Sequence, residues 1–469
     1  MSRELLEAWG STWRRRRGEP AVSEAASGRV TTFGELEAQA QAWRAAHAGT
    51  AGSVAGRVVV FALPNGAEWL RVFLGSLYAG AIAVPLDPGE PPAAQRALAA
   101  AIRAGFLWDG ASLVSLEAAH RFRNSSLCLV KLTSGSTGRP RPLLFTDAQM
   151  LADGRQIQRT MAIRGRDVNY AVIPLGHSYG LGNLTLPLLA HGVAMVIGSV
   201  PLPHVIAGDF ARWRPTVLPA VPTIFRGLAE SSVDAAALRS LRLAISAGAP
   251  LAPEVARAFA RRFRRHIHSF YGSSETGGIT YDRTGAATLS GRSVGRPLHG
   301  VRLRVSRGRL RVCSPAVFTH GNRRHAGGLG WWSPPDLAGI AAYREVRLLG
   351  RRGAVVKIAG RRVNLGEVAA RLRQLPGVRD VWVGTSGETE GVLGAALATD
   401  RPTAELRAAL RADTAPWKTP KRWLLLPEFP VTARGKTDTA DLRRRLFGGA
   451  ATEPNKALPA NAGRCQLAP

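Results

Sequence analysis

Cysteine is scarce in this chain, and acidic residues are outnumbered. The 469 residues hold three cysteines, Cys128, Cys313 and Cys465, far apart from one another. Scattered thiols build no disulfide framework and match no zinc spacing, so a reducing cytoplasm is the expected compartment. Long apolar runs are missing as well: no stretch of about 18 uninterrupted apolar residues marks a membrane span. Arg3, Glu4 and Glu7 break up the N-terminus, so no secretory signal is expected. No internal repeat is visible.

The 33 acidic residues stand against 63 lysines and arginines, a formal net charge of +30. Such an excess raises nucleic acid or a membrane surface as a partner class. No nucleic-acid motif accompanies it, so it reads as an arginine-rich solvated surface and no nucleic-acid partner is expected. The densest patches are "WRRRRG" at Trp13–Gly18 and "RRFRRH" at Arg261–His266. Beside the second, Val255, Phe259 and Phe263 recur every four residues, which makes its arginines the wet face of a helix.

What is present is a long chain with 45% apolar residues and 51 glycines, enough for more than one core and many tight turns. Up to about residue 350, apolar runs alternate with helical periodicity, the mark of α/β layers. "RVVVFAL" at Arg57–Leu63 reads as a buried strand, "NGAEWLRVFLGSLYAG" at Asn65–Gly80 as a helix with a glycine stop, and "AIAVPLDP" at Ala81–Pro88 as the next strand. "AMVIGS" and "RLAISAG" read as further strands, and Val301–Trp332 as short antiparallel ones. From about Ala354 a compact α+β pattern restarts: strand–turn–strand, "LGEVAARLRQL" as a helix, "VRDVWVGT" as a strand and "TAELRAALRAD" as a helix. The expected fold class is therefore α/β, with a large multi-subdomain N-terminal domain of layered sheets and helices over residues 1–352. A small mobile α+β domain is expected over 354–447, and residues 448–469, which lack periodicity, as a disordered tail.

One stretch carries chemistry. "LCLV" reads as a strand and leads into "KLTSGSTGRPR", in which Thr133, Ser134, Gly135, Ser136, Thr137 and Gly138 follow one another. Glycines let backbone N–H groups turn toward an anion, and small hydroxyls add donors, so the loop suits phosphate. The lysine-bearing P-loop pattern is absent, since no G-K-[ST] follows.

"LTSGSTGRPR" resembles the signature loop of the adenylate-forming enzymes: acyl-CoA synthetases, peptide-synthetase adenylation domains and luciferases. Eight further stretches match that family in order: "TTFGELEAQAQAWRAA", "YAGAIAVPLDP", "PLGHSYGLG", "SAGAPL", "YGSSETGG", "WWSPPDLA", "GRRGAVVKIAGRRVNLGEVA" and "PVTARGKTDTADLRRRL". The resemblance runs from about residue 5 to 447 and is strongest toward the AMP-dependent acyl- and aryl-acid ligases. It implies a two-step reaction in which a carboxylate attacks the α-phosphate of ATP and expels pyrophosphate, and a thiol then displaces AMP. The acceptor would be coenzyme A or the phosphopantetheine of a carrier protein.

The same resemblance assigns roles. Lys436, in P-x-T-x-x-G-K, would bridge the acid and the α-phosphate. Glu275 would hold Mg²⁺ on the phosphates, an oxygen-ligand task for a hard cation. Thr133, Ser134, Ser136 and Thr137 would contact the β- and γ-phosphates with Gly135 and Gly138 shaping the loop, and Ser274 beside Gly272 the α-phosphate. Ala247, Gly248 and Ala249 would pack on adenine, with Tyr271 on its other face. Asp336 would accept the ribose hydroxyls, with Arg351 beside it, and His177 would shape the acid pocket. Three departures stand out: Arg141 replaces the usual lysine after the loop, Asp336 follows P-P rather than T-G, and the hinge position falls on Gly353.

"GHSYG" offers no aspartate for an α-ammonium group, so an aryl or fatty acid is expected rather than an amino acid. A basic surface suits an acidic carrier protein and CoA phosphates alike. No fused carrier domain is visible. Two alternatives stay open: a catalytically impaired nucleotide-binding member of the family, and adenylation followed by intramolecular ring closure.

Overall fold

The computed structural model describes residues 4–47, 54–116, 120–123, 126–134, 140–318, 331–351, 355–358, 361–386, 392–413, 418–432 and 436–448. The expected disordered tail beyond residue 448, the loop residues Gly135, Ser136, Thr137 and Gly138, and the hinge glycine Gly353 lie outside them. The chain divides into two compact units. One takes the residues up to Leu303 together with Val312–Trp332; the other takes Arg304–Arg311 and the described residues from Ser333 to Gly448.

The first unit is α/β, as its alternating pattern predicts. Its strands are β1 (Pro20–Glu24), β2 (Val30–Thr32), β3 (Val58–Phe61), β4 (Ile82–Pro85), β5 (Phe106–Trp108), β6 (Leu113–Ser115), β7 (Leu127–Ser134) and β8 (Pro140–Thr146), followed by β9 (Val168–Ala171), β10 (Ala194–Ile197), β11 (Val217–Ala220), β12 (Leu243–Ser246), β13 (Ile267–Ser273), β14 (Gly277–Tyr281) and β15 (Arg296–Pro297). They form a nine-stranded sheet ordered β15-β14-β13-β12-β11-β9-β10-β1-β2 and a six-stranded sheet ordered β6-β5-β3-β4-β7-β8. The central strands are parallel: β9 with β10 and β11, β11 with β12, β12 with β13, and β3 with β4 and β5. β3, β11 and β12 are buried along their whole length, which is why they read as unbroken apolar runs rather than alternating ones.

The helices begin where the sequence offers caps. Thr32 and Glu35 form a reciprocal capping box for the helix Phe33–Ala46, and Thr146 and Gln149 do the same for Asp147–Met161. The basic helix Pro253–Phe263 buries Val255, Phe259 and Phe263 and turns its arginines away, as their spacing predicts. Trp9, Phe33, Trp69, Phe73 and Phe145 belong to one core; Tyr170, Phe210, Phe225 and Phe259 belong to another.

One boundary differs from expectation. The strand anticipated at "LCLV" continues as β7 through Thr133 and Ser134, which pair with Arg141 and Pro140 of β8. The described residues on either side of the phosphate-loop sequence are thus antiparallel strand partners, and its first two hydroxyl residues belong to a strand. Ladder hydrogen bonding, invisible in a polar sequence, carries the strand four residues further, through Lys131 and Leu132 to Thr133 and Ser134.

In the second unit Asp336–Ile340 pairs antiparallel with Val346–Arg351. Beyond it lie the hairpin Val355–Ile358/Arg361–Asn364 and a three-stranded sheet of Asp380–Thr385, Leu393–Ala398 and Arg422–Leu426. The helices Leu365–Arg373 and Thr403–Asp413 accompany them. Val363, Val368, Leu372, Val381, Leu393, Leu397, Leu406 and Leu410 share this unit's core.

Candidate active site

In parallel α/β sheets the carboxyl ends of the strands face the loops that carry function. Four sequence motifs of the first unit emerge at such ends. The His177 segment follows β9, Ala247–Ala249 follow β12, Tyr271 and Gly272 end β13, and Asp87 follows β4 of the other sheet. The two sheets are joined there. Asn65, just after β3, donates through Nδ2 to the Ile173 carbonyl at 2.8 Å and accepts the Leu175 N–H at 2.9 Å. His177 Nε2 lies 3.8 Å from Asp87 Oδ2, with the histidine one-third exposed and the aspartate 13% exposed.

His177 sits just before a single helical turn, Ser178–Gly180, that passes directly into a π-helical turn, Leu181–Thr185. Single π-turns of this kind cluster at functional sites. Space dictates the glycines: a Cβ on Gly180 would lie 1.9 Å from the Pro174 carbonyl oxygen, and one on Gly176 2.6 Å from Pro85 Cβ. Tyr179 reaches across the sheet end and donates to the Ile245 carbonyl at 2.8 Å, which ties this turn to β12. After β12, Ala247 is buried, Gly248 takes φ +89° and Ala249 is exposed. The backbone thus turns sharply where a flat ring is expected to pack.

Ser274 and Glu275 form the tip of the β13–β14 hairpin. Thr276 N–H donates to the Ser273 carbonyl at 3.3 Å, and Gly277 leaves the turn at φ +68°. Gly272 is required beside it, since a Cβ would meet the Gly277 carbonyl oxygen at 2.6 Å. The Glu275 carbonyl accepts the Phe318 N–H at 2.9 Å, so its backbone is held from two sides. Among the described residues no hydrogen bond or ion pair engages the half-buried Glu275 carboxylate. No cluster of three or more metal-ligating side chains occurs among them either. A lone carboxylate at a fixed turn fits Mg²⁺, which takes one or two protein oxygens and completes its shell with phosphates and water.

Arg141 has a setting the sequence did not reveal. Its guanidinium carbon lies 5.8 Å from the Phe318 ring centroid and 5.5 Å from that of Trp332, and the two rings meet edge to face at 4.9 Å. A planar guanidinium suits a place between aromatic faces better than an ammonium does.

The remaining sequence candidates belong to the second unit. Asp336 is buried, and its register partner across the strand pair is Arg351, so the ladder brings together the two residues expected at the ribose. Lys436 is exposed; its carbonyl accepts the Thr432 N–H at 2.7 Å, and the Asp438 N–H donates to the Pro430 carbonyl at 2.7 Å.

Reading the sequence missed Asp87, Tyr179, Lys131 and Asp153. Asp87 stood inside a quoted motif, and Lys131 is a lone cation in an apolar strand, which was the available signal. Asp153 is one acid on a helix, and nothing local distinguishes it.

A family model for AMP-binding enzymes matches residues 10–112 and 103–316. The sulfoacetate–CoA ligase of Cupriavidus necator is 27% identical over 90% of this chain and 94% of its own. The 4-hydroxybenzoate–CoA/benzoate–CoA ligase of Rhodopseudomonas palustris is 27% identical over 71% of this chain and 67% of its own. The solved structure of ATP-bound MatB from Rhodopseudomonas palustris superposes with a TM-score of 0.80 over 96% of this chain and 99% of that one, at 21% identity.

Proposed function

The chain belongs to the AMP-binding enzyme family, and on that footing we propose that it activates an aryl or fatty carboxylic acid with ATP and passes the acyl group to a thiol. The observation that carries this reading is that His177, Ala247–Ala249 and Tyr271–Glu275 all lie at the carboxyl ends of strands in one sheet, with Asp87 from the other sheet 3.8 Å from His177. It gives one sheet edge an acid side and a nucleotide side.

In the first half-reaction a substrate carboxylate oxygen attacks the α-phosphorus, and the bond to pyrophosphate breaks. The burden is positioning and charge stabilisation rather than covalent chemistry by the protein. Thr133, Ser134, Ser136 and Thr137 hold the outer phosphates with Gly135 and Gly138. Ser274 addresses the α-phosphate, and Lys436 supplies a cation to the reacting oxygens. Glu275 would hold a magnesium ion, which when bound would neutralise phosphate charge. Ala247, Gly248, Ala249 and Tyr271 take adenine, and Asp336 with Arg351 takes the ribose. In the second half-reaction a thiolate attacks the acyl carbon, and AMP leaves with the electrons of the broken mixed-anhydride bond. A hinge at Gly353 would let residues 354–447 pivot between the two half-reactions.

The benzoate-activating relative supports an aryl acid. Coenzyme A and an acidic carrier protein both complement a chain of net charge +30, and either acceptor fits a cytoplasmic enzyme. The test is pyrophosphate release with ATP, Mg²⁺ and a panel of aryl and fatty acids, comparing the wild type with Lys436→Ala. Acid-dependent release that collapses in the variant is the expected result. ATP binding without release for any acid would replace this reading with a nucleotide-binding protein that does not turn over.

A further inference from the structure

A charged pair lies under the site and is used by none of the steps above. Lys131, on β7 two residues before Thr133, is 6% exposed, and Asp153, on the helix Asp147–Met161, is 3% exposed. The Lys131 ammonium lies 4.2 Å from the centroid of the Phe145 ring. Burial pushes its pKa down, while Asp153 first, and then Cys128 and Glu275, pull it up. Burial pushes the Asp153 pKa up, and Lys131 is the one charged side chain that pulls it down, aided by the Gly278 N–H. At both groups burial outweighs the other's charge, and the opposite charges offset part of each other's desolvation cost.

Asp153 touches two separate segments. Its Oδ1 accepts the Gly278 N–H at 2.9 Å, and a Cβ on Gly277 would fall 2.3 Å from the same oxygen. Its Oδ2 is buried without a hydrogen-bond partner, and a Cβ on Gly182 would lie 3.2 Å from it. The first segment is the turn that follows Glu275. The second is the π-turn that follows His177. Gly277 is thus where main chain closes directly on the carboxylate, while at Gly182 the space is bounded first by Ile157 Cδ1, 2.6 Å from such a Cβ, and then by the carboxylate.

We infer that Asp153, with Lys131 as its counter-charge, is a positioning residue that fixes the Glu275 turn against the π-turn behind His177. One buried carboxylate sets the spacing of the nucleotide side and the acid side. The Gly278 N–H bond does the positioning, and Lys131 makes a buried acceptor of that strength tolerable. The inference rests on the proposed function only for the roles given to Glu275 and His177; the contact itself does not depend on it.

Two double variants of the full chain separate the parts. D153N/K131M removes both charges and keeps the acceptor, whereas D153L/K131M removes charges and acceptor and leaves an apolar pair of the kind buried cores accept. Peptide-level amide exchange without ligand reads the contact. Calorimetric titration with ATP, with and without Mg²⁺, reads its consequence. D153L/K131M is expected to speed exchange in both Glu275–Ile279 and Leu181–Thr185, leave Leu243–Ser246 unchanged, and weaken Mg·ATP by about tenfold with magnesium-free ATP little altered, as supporting residues of metal sites do. D153N/K131M should exchange and bind like the wild type. Gly277→Ala, which drives the turn off the carboxylate from the other side, should reproduce the loss of Mg·ATP even if D153L/K131M does not fold.

Exchange that is unchanged in Glu275–Ile279, or that accelerates alike over the whole chain, overturns the inference. So does an equal loss of ATP affinity with and without magnesium, or a Gly277→Ala chain that binds Mg·ATP like the wild type. A wild type that binds no ATP defeats the proposed function instead, and the exchange comparison still decides the contact.

Discussion

His177 Nε2 and Asp87 Oδ2 stand 3.8 Å apart, although they follow strands of different sheets and lie 90 residues apart in the sequence. The pair marks the acid side of the candidate site. His177→Ala should raise the KM for the activating acid by about tenfold and leave the KM for ATP near its wild-type value, the pattern of lost ground-state binding. Steady-state pyrophosphate release with each substrate varied in turn measures it. A change confined to ATP would put His177 on the nucleotide side.

Gly180 tests the packing of the same turn. A Cβ there meets the Pro174 carbonyl oxygen at 1.9 Å, a backbone atom that no rotamer change can move aside. Gly180→Ala should cost about 1–3 kcal/mol or more. Urea unfolding should show a lower midpoint with an unchanged slope, and an undisturbed midpoint would mean the turn has room that the structure denies.

Arg141 tests the value of a planar cation. Arg141→Lys keeps the charge and loses the guanidinium plane against Phe318 and Trp332. A stack at an exposed residue contributes about 0.5–1 kcal/mol, so Mg·ATP affinity should fall by about two- to fivefold. In a Trp332→Ala background the same replacement should have a smaller effect, because its partner is gone. Equal losses in both backgrounds would assign Arg141 to charge alone.

Three histidines make stability depend on pH. Burial lowers the pKa of His120, His191 and His268 below the ordinary 6.5, with nearby arginines adding to the effect at His120 and His191. His120 Nε2 and His191 Nε2 are buried without hydrogen-bond partners, which suits the neutral ring. As pH falls through 6.5 the unfolded chain takes up protons that the native histidines refuse, so the unfolded state is favoured. Stability should be full above that pH and decline as pH drops toward the lowered native values. Urea midpoints at pH 7.5 and pH 5.5 should differ in the wild type and differ less in His191→Gln. Equal differences in the two proteins would remove His191 from the account.

Much of the molecule can be read from local pattern. The buried strands β3, β4, β10 and β12, the capped helix Phe33–Ala46 and the basic helix Pro253–Phe263 declare themselves through apolar runs, caps and fourfold spacing. What fails is the end of β7, because Thr133 and Ser134 look like loop residues until the ladder to β8 claims them.

The sequence by itself determined the family and the candidate residues of the phosphate loop, the Glu275 turn and the Lys436 turn. Those motifs depend on glycines, hydroxyls and charges at short spacings, where a few neighbouring backbone angles decide the shape. Only the tertiary structure decided that Asp87 meets His177, that Arg141 lies by Phe318 and Trp332, and that Lys131 and Asp153 share a buried interior beneath two motifs. Each of those pairings joins residues whose strands and helices are brought together by sheet order. Sheet order is set by the burial of whole faces, not by anything written beside the residues themselves.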